Sequence, residues 1–406
     1  MTLIALDDLE AGMTTARNVL NRRGQVLLPK DTTLSEKHIR GLRTWSILFV
    51  DVLDADDAQL AELSEDQQIL LEDTLLRYFS QNTENIDHPF IQFLRELYTE
   101  HLWKLVHQEA IPTLDSVIDE PSPIEKWLTA AQLISNITAI PTLPEIKDKL
   151  IAQLGQPDAS VSQIGEILVM APGLSAVALK MSNSAWYGAN SKPNNVSHAV
   201  SVIGFDELKR FVQESATVSS YFDDNSLCAS PYTFWGHSIA TAIFAQVIAQ
   251  QVNHPEPEYL MLLGLLHDLG KQLLFLKLPE QYRHICRFAW QEQVPSMKIE
   301  RKYLGFYHNL LTMELLKQWN FSKAFQDVVY FHHTPENATH KTEAYILHLA
   351  DLFANAMGFS VQRLTVLPTI DIQALSEIQL SKRHLPAIVV RAEQTIFTIR
   401  RNFNIS

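Results

Sequence analysis

The chain has 406 residues, long for one core and suited to two or three domains. Hydrophobic residues make up 46% of it and glycine occupies only 13 positions, which with long stretches of helical periodicity points to a mostly α globular protein. The formal charge of −13 argues against general affinity for nucleic acid or an anionic membrane, while leaving room for a local basic pocket. Cys228 and Cys286 have neither metal-ligand nor redox-motif spacing and fit a reducing cytoplasm. Met1 is followed by neither a positive n-region nor a signal-peptide core. No apolar run of spanning length lacks an embedded charge, so a soluble protein off the membrane is expected.

Residues 1–52 carry short apolar runs at 3–6, 16–20, 26–28 and 47–50, punctuated by Gly12 and by Arg23-Gly24. Ser35 can cap a short helix over 35–42. A small accessory module of strands plus one helix is predicted. Leu9, Gly12 and Met13, followed by Gly24, Leu27 and Leu28, give it a resemblance to the module that precedes some HD-GYP proteins.

Residues 53–122 suggest an acidic helical connector. The stretch 54–66 is acid-rich, and apolar residues recur every three or four positions over 70–79 and 90–106. Pro89 and Pro112 punctuate it, and residues 119–123 read as a domain boundary. Its charges are those of solvated helix faces, and no chemistry is expected there.

From residue 124 a series of short amphipathic helices is predicted. One opens at Ile140-Pro141-Thr142-Leu143-Pro144-Glu145, with Thr142 and Glu145 at capping-box spacing. Ser160 and Gln163 repeat that spacing before a helix that ends near Ala171. Helices over 174–183, 197–202 and 206–221 follow, the last two split by Gly204.

Residues 262–271 then read Leu-Leu-Gly-Leu-Leu-His-Asp-Leu-Gly-Lys, an apolar run with the profile of a buried helix. His267 and Asp268 are costly there unless hydrogen-bonded or bound to a metal. Adjacent helical residues point about 100° apart, so the two cannot simply bond to each other; they can converge on a metal centre, or His267 can bond a carbonyl while Asp268 caps a neighbouring helix. Gly264 and Gly270 permit close helix approach or a helix end.

The ordered motifs Pro-Thr-Leu-Pro-Glu, Asp-Ala-Ser, Pro-Gly-Leu, Asn-Ser-Ala-Trp-Tyr-Gly, His198-Ala199-Val200 with Ile203-Gly204, and His-Asp-Leu-Gly-Lys resemble the HDOD domain. The resemblance covers residues 124–326, about half the chain. It implies an all-α domain related to HD-type metal-dependent phosphohydrolases and a role in bacterial signalling, in a family whose members often lack metal ligands. Here His237, His267, Asp268, His308, His332, His333 and Asp351 follow the ligand order of HD-GYP phosphodiesterases. Imidazole and carboxylate without thiolate suit iron or manganese, or less distinctively zinc, as one or two ions. Two ions can activate water and neutralise a phosphate, with Asp268 central and Lys271 placed to meet the departing charge.

Two departures oppose hydrolysis. The residues after His333 lack the Gly-Tyr-Pro element of HD-GYP enzymes, and neither Glu258 nor Glu336 securely supplies their metal-bridging glutamate. His348, three residues before Asp351 on the same helical face, and Asp351 are candidates to orient one another. Residues 183–187, with Trp186 either exposed at a helix end or buried between lobes, are a candidate partner contact.

The expected divisions are 1–52, 53–122, an HDOD domain over 123–360 with lobes 123–222 and 230–360, and a helical extension over 361–406 with an extended segment at 361–366. The expected function is a cytoplasmic regulatory module with protein partners and a retained metal site. The alternative is a phosphohydrolase acting on a nucleotide or cyclic dinucleotide, and a phosphate-containing small ligand suits either.

Overall fold

A computed structural model describes residues 2–20, 26–44, 47, 49–53, 63–107, 111, 129–137, 140–183, 195–215, 217, 229–362 and 365–403. The protein is mostly α, and among the described residues its few strands lie in the N-terminal module. Contacts divide the chain into two compact units, residues 1–69 with 380–406, and residues 70–379. The end of the expected C-terminal extension therefore groups with the N-terminal module, while residues 361–379 group with the larger unit. Arg23-Gly24, Pro112, the boundary at 119–123, Trp186 with residues 184–187, and Cys228 lie outside the described residues.

The smaller unit holds β1 (Thr2–Ala5), β2 (Thr14–Thr15), β3 (Val19–Leu20), β4 (Val26–Leu28), α1 (Glu36–Thr44) and β5 (Phe49–Leu53). An antiparallel sheet runs in the order β1-β5-β2, with Ile4 opposite Val50 and Thr15 opposite Val52. Strand alternation turns Val50 and Val52 inward, where they meet Ile39 and Leu42 from one face of α1. Ser35 caps α1 by accepting from the His38 amide at 3.3 Å. In the same unit, Arg17 donates to both carboxylate oxygens of Glu393 on the C-terminal helix, Leu385–Phe403.

The larger unit begins within α2 (Glu65–Tyr78) and continues through α3 (Pro89–His107), α4 (Ala130–Ile134), α5 (Pro144–Leu154), α6 (Val161–Val169), α7 (Pro172–Ser182), α8 (Val196–Ile203) and α9 (Phe205–Glu214). Then come α10 (Pro231–Gln251), α11 (Pro257–Leu266), α12 (Leu269–Lys277), α13 (Pro279–Gln291), α14 (Ser296–Leu304), α15 (His308–Gln318), α16 (Lys323–Tyr330), α17 (Lys341–Ala356) and α18 (Ala374–Glu377).

The Ser160–Gln163 capping box forms as expected at the start of α6. The Thr142–Glu145 box does not. Pro144 takes the first helical position and moves the cap to Leu143, while Thr142 bridges to Thr217. Gly204, at φ 81, turns the chain between α8 and α9. α9 stops at Glu214, short of the expected 221, because Ser215 is already extended and its carbonyl accepts from Lys147.

Of the expected connector, residues 53–69 group with the smaller unit, while α3 is part of the larger unit's core. Phe90 and Phe93 of α3 meet the Phe353 ring of α17 edge-on, at 5.8 and 6.3 Å. No strand forms among the described residues of 361–366. Instead the following segment is strapped down, with the Leu367 amide on the Tyr78 carbonyl and the Ile370 amide on Asn82 Oδ1.

α10 is apolar all round and buried along most of its length, with α11 and α17 packed on it. Phe244 of α10 stacks on Phe353 at 5.3 Å. By length and composition alone, the stretch Pro257–Lys277 could cross a membrane, but 72% of its apolar window is buried inside the protein. α10 starts on a Ser230–Thr233 capping box with Pro231 at its first position. Ser230→Ala is expected to cost about 1 kcal/mol, read as a lowered midpoint in denaturant at unchanged slope.

Candidate metal centre

Five segments converge on one buried point. α10 contributes His237, the α11–α12 junction His267 and Asp268, α15 His308, the turn after α16 His332 and His333, and α17 Asp351. All seven side chains expected from the sequence meet there. His237, His267, Asp268, His308, His332 and Asp351 are 0–3% exposed, and the His333 side chain 6%.

The helix carrying the His-Asp pair is broken at the pair. His267 closes α11 and Asp268, at φ −109 and ψ 20, leaves the helical region before α12 begins. The 100° separation expected of adjacent helical residues therefore does not hold. His267 Nε2 lies 3.3 Å from Asp268 Oδ2, because the break turns both side chains to the same side. Gly264 sets α11 against α10, and Gly270 sets α12 against the His308 carbonyl on α15. The Gly270 amide also donates to Thr312 Oγ1 at 2.8 Å, and Thr312 donates to the His308 carbonyl at 3.0 Å.

The hydrogen bonds on the outer ring nitrogens fix what the inner ones can do. His237 Nδ1 bonds the Phe359 carbonyl at 2.7 Å, His267 Nδ1 the Gly264 carbonyl at 2.8 Å, and His332 Nδ1 the Val329 carbonyl at 2.6 Å. A carbonyl only accepts, so each Nδ1 carries the proton and, in a neutral ring, each Nε2 presents a lone pair inward. His237 Nε2 and His267 Nε2 nonetheless face each other at 3.2 Å. Two lone pairs at that distance repel unless a proton or a metal cation lies between them.

The donors form two groups. His237 Nε2 is 3.2 Å from Asp268 Oδ2 and 3.3 Å from Asp351 Oδ1, and His267 Nε2 is 3.8 Å from Asp351 Oδ1. Four ligands placed tetrahedrally at about 2.0–2.1 Å from a metal stand about 3.3–3.4 Å apart, so the two His237 spacings match a coordination shell and the His267–Asp351 spacing is longer. The second group holds His308, His332 and His333, with His308 Nε2 3.2 Å from His333 Nε2 and 3.4 Å from Asp268 Oδ1. Asp268 thus turns one oxygen to each group. Three of these buried atoms, Asp268 Oδ1, His332 Nε2 and His333 Nδ1, have no hydrogen-bond partner among the described residues. Orphaned buried acceptors in a nitrogen and oxygen donor set fit divalent cations.

The electrostatics point the same way. Burial alone would lower the His267 pKa, but the carboxylates of Asp268 and Asp351 carry it to about 10. Burial, with His267 and His308 nearby, pushes His332 down to about 3, and His333 also lies well below its ordinary value. Asp268 and Asp351 stay well below the usual carboxylate range despite burial, held there by the facing imidazoles and, at Asp268, by Lys271. The centre therefore calls for positive charge beside its carboxylates, while His332 and His333 keep free lone pairs. Lys271 supplies one cation, with Nζ 2.6 Å from Asp268 Oδ2 and a side chain 13% exposed.

His348 does not orient Asp351. Its Nδ1 bonds the His332 carbonyl at 2.9 Å and its Nε2 accepts from the Asp371 amide, while Asn355 donates to Asp351 Oδ1 at 2.8 Å. Glu258 and Glu336 make no contact with the ligand set among the described residues, whereas Glu300, at 0% exposure, bonds His308. Its signal in the sequence was a carboxylate on the stripe of α14 that also holds Tyr303 and Leu304. A cleft of about 40 Å³ between the starts of α5, α7 and α10 is lined by Pro141, Pro172, Phe234, Trp235 and Phe275, has no titratable group, and is not this site.

An all-α lobe that gathers histidines and aspartates from five segments, one of them carrying a His-Asp pair, defines an HD-like fold. Residues 140–335 match the HDOD domain family, and the chain carries an HDOD domain there. The chain is 24% identical over 253 residues to an uncharacterized protein of Treponema pallidum (strain Nichols), covering 61% of this chain and 47% of that one. It thus spans about half the length of that relative. Its fold resembles the MmoQ response regulator of Methylococcus capsulatus str. Bath, with a TM-score of 0.51 at 20% identity over 63% of this chain and 99% of that one. A fragment of the same regulator gives a TM-score of 0.48 at 22% identity over 61% and 93% of the two chains.

Proposed function

We propose that this protein is a cytoplasmic signal-transduction module whose HD-like lobe holds two divalent cations, iron or manganese before zinc. The observation that carries this reading is the convergence of Nε2 lone pairs on a carboxylate that presents one oxygen to each of two donor groups. His237, His267, Asp268 and Asp351 would hold one ion, and His308, His332, His333 and Asp268 the other. Ions at these positions would supply Lewis acidity toward a phosphate-containing ligand. Each ion ties together segments far apart in sequence, so occupancy would set the packing of the lobe and, through it, the surface offered to protein partners.

Chelation tests this. At free metal about a thousandfold above Kd, linkage contributes about 4 kcal/mol, which for a unit of this size is about 6 °C in Tm. Removing metal should lower Tm by that order and adding manganese or iron should restore it; a Tm indifferent to both would count against a bound cation.

A phosphohydrolase acting on a nucleotide or cyclic dinucleotide is the second reading, favoured by Lys271. That side chain touches Asp268 and also reaches the surface, where a phosphate oxygen would approach. Lys271→Ala separates the readings. An enzyme loses phosphodiester hydrolysis with its metal retained, whereas a regulatory module has no turnover to lose.

A further inference from the structure

Of the four imidazoles whose Nδ1 faces away from the donor groups, three bond a backbone carbonyl. His308 differs, because its Nδ1 donates to the Glu300 carboxylate at 2.8 Å. The same oxygen, Glu300 Oε2, accepts the His308 backbone amide at 2.9 Å. Glu300 is fully buried, and Gly305, at φ 81, ends α14 and folds the chain so that Glu300 meets the first residue of α15. A buried carboxylate at a helix N-terminus is stabilised by the amide and by the helix dipole. Against Nδ1–H it makes the ring a stronger donor at Nε2 and fixes the tautomer more firmly than a neutral carbonyl can.

We propose that Glu300 is the positioning residue of the second cation subsite, the one formed by His308, His332, His333 and Asp268 Oδ1. This inference rests on the two-cation reading above. Glu300 touches no atom of the first group among its hydrogen bonds, so its effect falls on one ion of the two. Without it, His308 loses the anchor that aims Nε2 at Asp268 and His333, and the His308 amide is left without its acceptor.

The test is stepwise cobalt(II) binding to the full chain stripped of metal, followed by visible absorption, with Tm of the stripped protein as the fold control. The wild type should bind two equivalents. Glu300→Gln keeps an oxygen acceptor but removes the charge, and should weaken the second equivalent about tenfold. Glu300→Ala removes both and should weaken it about a hundredfold, with the first equivalent unchanged. If Glu300→Ala does not fold, the Gln variant carries the test alone. Two equivalents with wild-type affinity in a folded Gln or Ala variant would overturn the role given to Glu300 while leaving the two-cation reading intact. Equal weakening of both equivalents would also overturn it, since the effect would then be general. A wild type that binds no cobalt would overturn the two-cation reading itself, and this inference with it.

Discussion

Asp268→Ala is expected to empty both subsites at once, taking metal content from two ions per chain to none. No other side chain of the seven lies within 3.4 Å of donors in both groups: Oδ2 stands 3.2 Å from His237 and 3.3 Å from His267, and Oδ1 3.4 Å from His308. Losing the carboxylate also strips Lys271 of its 2.6 Å partner and leaves two lone-pair nitrogens facing each other. Removing one member of a buried charge pair costs about 3–5 kcal/mol. Metal analysis and denaturant unfolding should therefore change together. Asp268→Asn, which retains shape and one oxygen, should recover much of the stability but little of the metal. Wild-type metal content in a folded Asp268→Ala protein would show that this carboxylate does not bridge.

The second large effect is expected at Gly264, which supplies no ligand atom itself. A Cβ there would stand 2.7 Å from Ala242 Cα and 2.8 Å from both the Ala242 nitrogen and the Thr241 carbonyl carbon. All three are backbone atoms of α10, so no side chain can swing away and α11 itself must move. Gly264→Ala should cost about 3 kcal/mol, and Gly264→Val enough to prevent folding. Because the Gly264 carbonyl also anchors His267 Nδ1, displacement of α11 should weaken metal binding in whatever Gly264→Ala protein folds. Denaturant unfolding measures the first effect and a metal titration the second. A variant with unchanged midpoint would mean that the α10–α11 approach is looser than the geometry requires.

Composition and periodicity foretold the all-α lobe and the strand-and-helix module because both depend on local signals. Ser160 with Gln163, Pro231 after Ser230, and the alternation of Val50 and Val52 are written within a few residues of one another. The seven metal candidates can be placed in order through the resemblance to HD-GYP phosphodiesterases, since each stands out as polar within an apolar segment but not by itself as a ligand. What local pattern could not convey was direction. His348 sits on the same helix as Asp351, and only the three-dimensional path of the turn after α16 sends its Nδ1 to the His332 carbonyl. Glu300 lies 32 residues beyond Asp268 in sequence and joins the centre solely through the bend at Gly305. The aromatic face of α3 resembles any amphipathic helix until Phe353 is set against it. Thr142 failed as a cap for a local reason that was visible, since Pro144 already satisfies the first helical position.

The most direct test of a two-cation centre is a metal count on tag-free protein grown with iron or manganese supplied and purified without chelator, beside His237→Ala and His308→Ala. These two side chains belong to different donor groups and approach Asp268 through different oxygens. The account predicts two ions per chain in the wild type and about one in each variant, from opposite subsites. A wild type that holds no metal, and takes up none when iron, manganese and zinc are offered, would contradict it.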